Sequence, residues 1–333
     1  MTDIGIVVGG PTPTIADLAR QAEDGGYESV WVAETAFSAF VQAALVARAT
    51  TSVTIGTAIA LAFPRSPTIT AMSARDIQEL SEGRFILGLG SQVKRVNEHR
   101  FSVPFEHPAP KMAEYAEVVR EVLAAFRGEP IDHQGRFYTV TMPPFPGAQP
   151  VPDVPIYLAA VNERMLEWAG RVADGIVGHP LTSPKYLAEV VRPAVERGAT
   201  AAGRDASEIS ITNSVILQLN EDRERARFEA ALQLGFYATT RTYKPVLELH
   251  GFGDLVTPLR DAHRAMDMAK LAEIAMPMVD TYAIAGPEDE CREGLAAFNG
   301  LVDRIVLGSA WVGPPEVVEQ NYRRLLHTFR PAG

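Results

Sequence analysis

Short runs of β-branched and other apolar residues are spread along the whole chain, and most are followed by apolar positions at helical spacing. Eight runs predict strands: Ile4–Val8, Ser29–Ala33, Thr54–Ala58, Phe85–Gly90, Ile156–Ala159, Gly175–Gly178, Ile209–Leu217 and Arg304–Gly308. Strands that alternate with helices pair in parallel through crossovers, and eight such units close into a barrel. The pattern therefore predicts an α/β fold, a (β/α)8 TIM barrel, whose chemistry lies in the loops that follow the strands.

Helix start signals locate two of these loops. Thr14 and Asp17 form a pair that resembles a capping box after the first strand. Ser66 and Pro67 are residue types that start a helix, so Ile59–Arg65 is predicted to connect the third strand to that helix.

Two intervals, after the fourth and seventh strands, are too long for a plain strand–helix unit. The first, of about 65 residues, contains a helical stretch at Met112–Phe126, a hairpin pattern around Gly135 and a proline-rich run over 143–155. The second, of about 85 residues, predicts helices at Arg223–Tyr237 and Asp254–Met268. Insertions of this size on the active face typically cover the site, although stabilising and oligomer-forming roles are also common.

Composition agrees with a single enzyme-sized domain over residues 1–333, with 47% hydrophobic residues and no low-complexity tract. The chain opens without the features of a secretory leader and has no apolar stretch that could span a bilayer, so we expect a cytoplasmic protein with no membrane partner. Cys291 is the only cysteine, which excludes an intrachain disulfide and a thiolate metal cluster.

Charge argues against a nucleic-acid partner, because the net charge is −10 and phosphates require a basic face. One stretch, KRVNEHR at 94–100, is locally basic and follows the fourth strand. It is either a solvated helix end or a surface that meets an anionic ligand.

Two polar residues end strands at the rim where barrel enzymes carry functional side chains. Glu34 follows the second strand, and a carboxylate there is solvated, paired or used in chemistry. His179 follows the sixth strand, where a neutral imidazole could exchange a proton near pH 7. The alternative for His179 is a packed ring that hydrogen-bonds the backbone.

Other rim positions suggest ligand contacts. Gly88 and Gly90 in the fourth strand would let a planar ligand approach the backbone, although G-x-G alone is weak and no Rossmann fingerprint is present. After the fifth strand, Asn162 is a candidate N-cap, so the N–H groups of residues 163–165 could bind an anion. The sequence has no G-x-S-x-G, no H-E-x-x-H and no clustered metal ligands, which favours a cofactor that supplies the reactivity.

Several segments resemble the luciferase-like monooxygenase superfamily. They are IGTAIALAFPRSP at 55–67, RFILGLGSQVK at 84–94, the helix start at Lys111–Tyr115, HQGRFY at 133–138, the proline-rich PPFPGAQPVPDVPIYLAA and WAGRVADG at 168–175, in the family's order. LGLGSQVK, AETAF and GLVDRI together resemble most the actinobacterial branch that is assigned to the deazaflavin coenzyme F420.

The resemblance implies a bacterial luciferase-like barrel that transfers a hydride between C5 of F420 and a small organic substrate. It also implies a cis peptide at Ala58–Ile59 that backs the coenzyme ring, and a basic contact from Lys94 and Arg95 to its glutamate tail. The ring would be flanked by Gly90, Ser91 and Gln92, and the phosphate would be bound by Ala160, Val161, Asn162, Glu163, Arg164 and Met165.

One departure from the family pattern concerns the proton. Many relatives have an acidic residue followed by His after the second strand, whereas Glu34 is followed by Thr35. This shifts the catalytic role to Glu34 and His179. Two alternatives stay open, an FMN-dependent monooxygenase and a non-catalytic flavin-binding barrel, and the resemblance further implies a homodimer formed by helices on the barrel flank.

Overall fold

A closed parallel sheet forms the centre of the computed structural model, which describes residues 2–145, 147 and 151–329. The strands are β1 Asp3–Val7, β2 Ser29–Val32, β3 Thr54–Thr57, β4 Ala60–Leu61, β5 Phe85–Gly90, β6 Ile131–Gln134, β7 Thr139–Met142, β8 Ile156–Ala159, β9 Gly175–Gly178, β10 Ser210–Leu219, β11 Ala283–Gly286 and β12 Arg304–Gly308. The barrel order is β1-β2-β3-β5-β8-β9-β10-β12, and β12 pairs with β1 to close it. The eight strands predicted from the sequence are these eight, so the (β/α)8 barrel is confirmed.

Helices surround the sheet and also make up most of the second insertion. They are α1 Thr12–Asp24, α2 Ala39–Ala49, α3 Pro67–Leu80, α4 Lys94–Arg100, α5 Pro108–Ala125, α6 Glu163–Val172, α7 Pro184–Tyr186, α8 Arg192–Ala201, α9 Arg223–Ala238, α10 Lys244–Glu248, α11 Val256–Arg264, α12 Met268–Ala275, α13 Val279–Tyr282, α14 Glu288–Leu295 and α15 Pro315–Thr328. No helix in the described ranges is both long enough and apolar enough to cross a membrane.

The inside of the barrel is filled by large side chains from alternate strand positions. Trp31, Ile86, Tyr157, Val177 and Val306 form this inner cluster. Because side chains alternate along a strand, the neighbouring positions face outward and pack with the helices in the main core. A Cβ at position 56 would lie 2.2 Å from the Trp31 ring, so only glycine there leaves room for the indole.

Both long intervals form the expected kinds of structure. The first contains α5 and the antiparallel hairpin β6–β7, although α5 begins at Pro108, earlier than predicted. Within the proline-rich run, positions 146 and 148–150 lie outside the described residues. In the second interval β11 pairs with Ile216–Leu219, the end of β10 that extends beyond β9.

Two further expected helix boundaries are wrong. The helix predicted at Asp254–Met268 ends with α11, because Met266 has a left-handed φ of 57° and Asp267 then caps α12. Helix α1 begins at Thr12, two residues before Thr14, whose hydroxyl donates to the Pro11 carbonyl instead of capping. The prolines before Thr14 lack N–H groups and suit the first turn, so the helix starts earlier.

Candidate functional site

The predicted site residues lie at the carboxyl ends of five successive barrel strands. Glu34 follows β2, Ala58 and Ile59 follow β3, Gly90 ends β5, and His179 directly follows β9. The 160–165 segment follows β8, between β5 and β9. The barrel therefore gathers them on one arc of its active face.

A bulge interrupts the third barrel strand between β3 and β4. The Ala58–Ile59 peptide is cis, as predicted, and β4 then pairs with Leu89 and Gly90 of β5. This bulge revises the interpretation of the two glycines. A Cβ at Gly88 would lie 1.8 Å from the Thr57 carbonyl oxygen, and one at Gly90 would lie 1.8 Å from Ile59 Cδ1. The glycines make room for the adjacent strand, so their presence does not by itself indicate a ligand.

The Glu34 carboxylate is paired with Arg65. Its side chain is 10% exposed, both of its oxygens accept hydrogen bonds from the Arg65 guanidinium, and Oε2 also accepts the Leu61 N–H at 2.8 Å. Of the three alternatives that the sequence left open, the structure shows the paired one. Glu34 thereby connects the end of β2 to the segment that follows the cis peptide through hydrogen bonds. Its role in proton transfer stays a prediction.

His179 packs among aromatic rings. Its ring centroid lies 4.6 Å from that of Tyr237 and 4.2 Å from that of Tyr243, and its Nδ1 accepts the Leu181 N–H at 3.0 Å. Burial lowers the pKa of His179 to about 3. The imidazole is therefore neutral at pH 7, and because Nδ1 is the acceptor, Nε2 carries the hydrogen.

The loop after β8 has the expected helix start. Asn162 Oδ1 accepts the Met165 N–H at 3.1 Å, which confirms the N-cap. Ala160 and Met165 are buried, whereas Glu163 and Arg164 are exposed. The Glu163 side chain pairs with Arg197 at 3.4 Å, so any contact from Glu163 to an anion would come from its backbone.

The basic stretch forms α4. Lys94 is exposed and lies 3.6 Å from Glu98, while Arg100 donates to the Thr35 carbonyl at 2.8 Å. Within the described part of the chain, Arg95 has no ion-pair partner and its side chain is exposed. Of the basic residues, Arg95 is therefore the most available to an anion.

Apolar residues lie at the mouth of the barrel, on top of the inner cluster. Val7, Ala58, Ile59 and Ala159 are partly buried and pack on that cluster, and they form an apolar floor. A Cβ built at Gly308 would meet Val7 Cγ2 at 3.9 Å, an ordinary van der Waals distance. The mouth therefore has an apolar floor, which suits one face of a planar ring.

Sequence reasoning missed the aromatic residues on the opposite arc. Phe236 and Tyr237 end α9, Tyr243 follows it, and Trp311 lies three residues after β12. Trp311 could have been found, since it lies in a loop that follows a predicted strand, as Glu34 and His179 do. Phe236, Tyr237 and Tyr243 belong to the insertion after β10, and no local sequence pattern predicts that this insertion reaches His179.

Comparison with known proteins agrees with this architecture. Residues 4–304 match the model of the luciferase-like monooxygenase family, and the chain belongs to that family. It is 39% identical over 306 residues, 87% of this chain and 88% of the other, to an uncharacterized protein of Mycobacterium tuberculosis. It is 30% identical over 323 residues, 93% of this chain and 94% of the other, to 5,10-methylenetetrahydromethanopterin reductase of Methanolobus tindarius.

A solved structure confirms the fold. The coenzyme F420 dependent tetrahydromethanopterin reductase from Methanopyrus kandleri superposes with a TM-score of 0.79 and 23% identity, covering 98% of this chain and 97% of the other. The family and its named relatives identify the chain as an enzyme, an oxidoreductase.

Proposed function

We propose that the protein is an F420-dependent oxidoreductase. The chemistry that F420 would supply when bound is hydride transfer between its C5 and a small organic substrate. The observation that carries the proposal is the barrel mouth, where the bulge between β3 and β4 lies beside an apolar floor. The F420-dependent reductase of M. kandleri, which has the same fold, and the reductase of M. tindarius support it.

The residues that would hold the coenzyme divide into three groups. Ala58, Ile59 and the 90–92 segment would contact the ring. The phosphate would meet the N–H groups at the start of α6, where negative charge is favoured. Lys94 and Arg95 would contact the glutamate tail, and because both are exposed, each contact contributes at most about 1 kcal/mol and weakens with salt.

For the proton, the two candidates have different properties. His179 is neutral and can donate a hydrogen bond from Nε2 to an oxygen or nitrogen of the substrate. Glu34 already accepts hydrogen bonds from Leu61 and Arg65. We therefore assign the substrate-facing role to His179 and a positioning role at the cis bulge to Glu34. If either side chain supplies the proton, its removal should slow turnover by about 10²–10⁴ with little effect on coenzyme affinity.

The test is a pair of fluorescence titrations, with F420 and with FMN. F420 should bind more tightly than FMN, and removal of the coenzyme's glutamates should weaken binding in wild type but not in Arg95→Ala. Arg20→Ala, which changes an exposed arginine beside Asp17 on α1, is the matched control and should behave as wild type. Tighter binding of FMN would overturn the assignment, and equal affinity for F420 with and without glutamates would remove the role of Lys94 and Arg95.

We also propose a homodimer. Helices α2 and α3 pack side by side on the barrel flank and expose Val41, Ile69 and Met72, which are 52%, 54% and 41% accessible. Exposed apolar side chains on adjacent helices are typical of association surfaces.

A further inference from the structure

An aromatic wall lines one side of the barrel mouth. We use this name for Phe236, Tyr237, Tyr243 and Trp311. The Phe236 and Trp311 ring centroids lie 5.1 Å apart at 73°, those of Tyr237 and Trp311 lie 6.2 Å apart at 70°, and Tyr237 and Tyr243 both contact His179. Edge-to-face arrangements at these distances are attractive. The wall is therefore a connected set of rings that reaches the histidine.

Trp311 is held in place although it is 52% exposed. Its indole Nε1 donates to the Tyr237 hydroxyl at 3.1 Å, and its backbone N–H donates to Gln233 Oε1 at 3.0 Å. Gln233 is 1% exposed and also accepts the Val312 N–H at 3.2 Å. One hydrogen bond holds the indole and two hold the backbone beside it, while about half of the residue is exposed, so the indole presents an ordered apolar face to a ligand.

A second buried glutamine, Gln218, holds the loop after β12 that carries Trp311. Gln218 Oε1 accepts the Ala310 N–H at 3.0 Å, and its amide donates to Glu229 at 2.7 Å. Glu229 and Gln233 are one helical turn apart on α9, and Tyr237 is one turn further along. One face of α9 thus positions both Tyr237 and Trp311.

The wall carries no charge. Within the described residues, none of its rings takes part in a cation–π contact and none of the ion pairs includes His179, while Phe236 also meets the His263 ring at 5.7 Å between centroids. Burial alone lowers the pKa of His179, and burial raises the pKa values of Tyr237 and Tyr243, so all three side chains are neutral at pH 7. Two uncharged donors, His179 Nε2–H and the Tyr243 hydroxyl, have no hydrogen-bond partner in the described part of the chain.

We propose that the aromatic wall is the substrate subsite and that it takes an uncharged, planar conjugated compound with a carbonyl oxygen. The flat face packs against Trp311 and Tyr237, and the oxygen accepts a hydrogen bond from His179 Nε2. A charged substrate is disfavoured because the rings that it would pack against and the neutral His179 offer no opposite charge to offset its desolvation. This inference rests on the proposed function, since it names the substrate class of the same site.

The experiment is a ligand titration followed by ¹⁵N NMR of tryptophan-labelled protein, with and without F420. The chain has 3 tryptophans, and Trp311→Leu identifies the Trp311 indole signal. Acetophenone should shift that signal and bind about 3- to 10-fold more tightly than cyclohexyl methyl ketone, which lacks the planar ring. Benzoate, planar but charged, should bind more weakly than acetophenone.

Three variants separate the parts of the inference. Trp311→Leu should abolish the preference for acetophenone over the saturated ketone. His179→Phe, which keeps a ring and removes the donor, should abolish the preference for acetophenone over ethylbenzene. Phe228→Leu, which changes an exposed ring elsewhere on α9, should match wild type.

An unshifted Trp311 signal in both states, or equally tight binding of benzoate or the saturated ketone, would overturn the substrate class. The coenzyme proposal fails separately. F420 should bind Trp311→Leu as tightly as wild type, so a wall that binds no ketone in a protein that binds F420 would refute this inference alone. Conversely, ketone binding by a protein that does not bind F420 would refute only the proposal that F420 is the coenzyme.

Discussion

Arg65 and Glu34 form a two-nitrogen, two-oxygen ion pair across the barrel rim, with side chains 25% and 10% exposed. The same carboxylate accepts the Leu61 N–H, so the pair connects the end of β2 to the strand that resumes after the cis peptide. The carboxylate therefore stabilises the position of the bulge between β3 and β4.

Glu34→Gln tests this role. The substitution removes the charge, leaves the Arg65 guanidinium without its counterion, and should lower the free energy of unfolding by about 1–3 kcal/mol. Urea denaturation measures the change. Asp17→Asn, which breaks the exposed pair with Arg20, should cost less than about 1 kcal/mol. If the Glu34→Gln variant is as stable as wild type but turns over substrate far more slowly, Glu34 is the proton carrier and its proposed stabilising role is wrong.

His179 should make stability depend on pH. The unfolded chain takes up a proton on this side chain below about pH 6.5, whereas the folded protein does so only near pH 3, so folding stability is complete above the first value and falls between them. The loss is at most about 1.4 kcal/mol per pH unit.

Urea denaturation at about pH 7 and about pH 5.5 measures this loss, and it should shrink in His179→Gln. The exposed His327 offers the control, since His327→Gln should retain the wild-type dependence. NMR that shows His179 protonated at pH 5.5 would refute the prediction.

Gly90→Ala should displace the bulge. Its Cβ would lie 1.8 Å from Ile59 Cδ1, so the variant should lose about 1–3 kcal/mol of stability. Ile59→Val removes Cδ1 and should restore part of that loss in the double variant, which a double-mutant cycle measures. At Gly308 the nearest atom is 3.9 Å away, so Gly308→Ala should leave stability within about 0.5 kcal/mol of wild type. If the stability changes of Gly90→Ala and Ile59→Val simply add in the double variant, residues 90 and 59 do not interact as described.

The proposed homodimer predicts a light-scattering mass of twice the 36.1 kDa chain at micromolar concentration. Ile69→Glu places a charge on the exposed face of α3 and should shift the protein towards monomer, because a charge desolvated in an interface is costly. Phe228→Glu, on an exposed part of α9, should leave the mass unchanged. A monomeric wild type would refute the dimer, and a dimer that survives Ile69→Glu would place its interface elsewhere.

The barrel could be predicted from the sequence because each strand has its own local pattern, and the order of strands follows from parallel crossovers. The caps at Ser66 and Asn162 were predictable for the same reason, since each depends on atoms within one helical turn. Thr14 was misjudged because two neighbouring prolines start the helix earlier than its own side chain would.

The functional interpretation of Gly88 and Gly90 could not be decided locally. What each glycine accommodates is a residue about 31 positions earlier in the chain, Thr57 for Gly88 and Ile59 for Gly90. Trp311 and Tyr237 are likewise brought together by the insertion between β10 and β12. Sequence patterns predict which residues follow the strands at the rim of the barrel, but they do not predict which of these residues contact one another across the mouth.

The length of β10 has a consequence for motion. β10 has ten residues, and its last four pair with β11, while the Asn220 N–H also donates to the Gly286 carbonyl at 3.0 Å. The insertion is therefore anchored at its return by the same hydrogen-bonded ladder that builds the barrel. Its backbone amides at 283–286 should exchange with solvent together with those of the barrel, as one cooperative unit. Motions of the insertion that leave this ladder intact are then confined to the segments before residue 283.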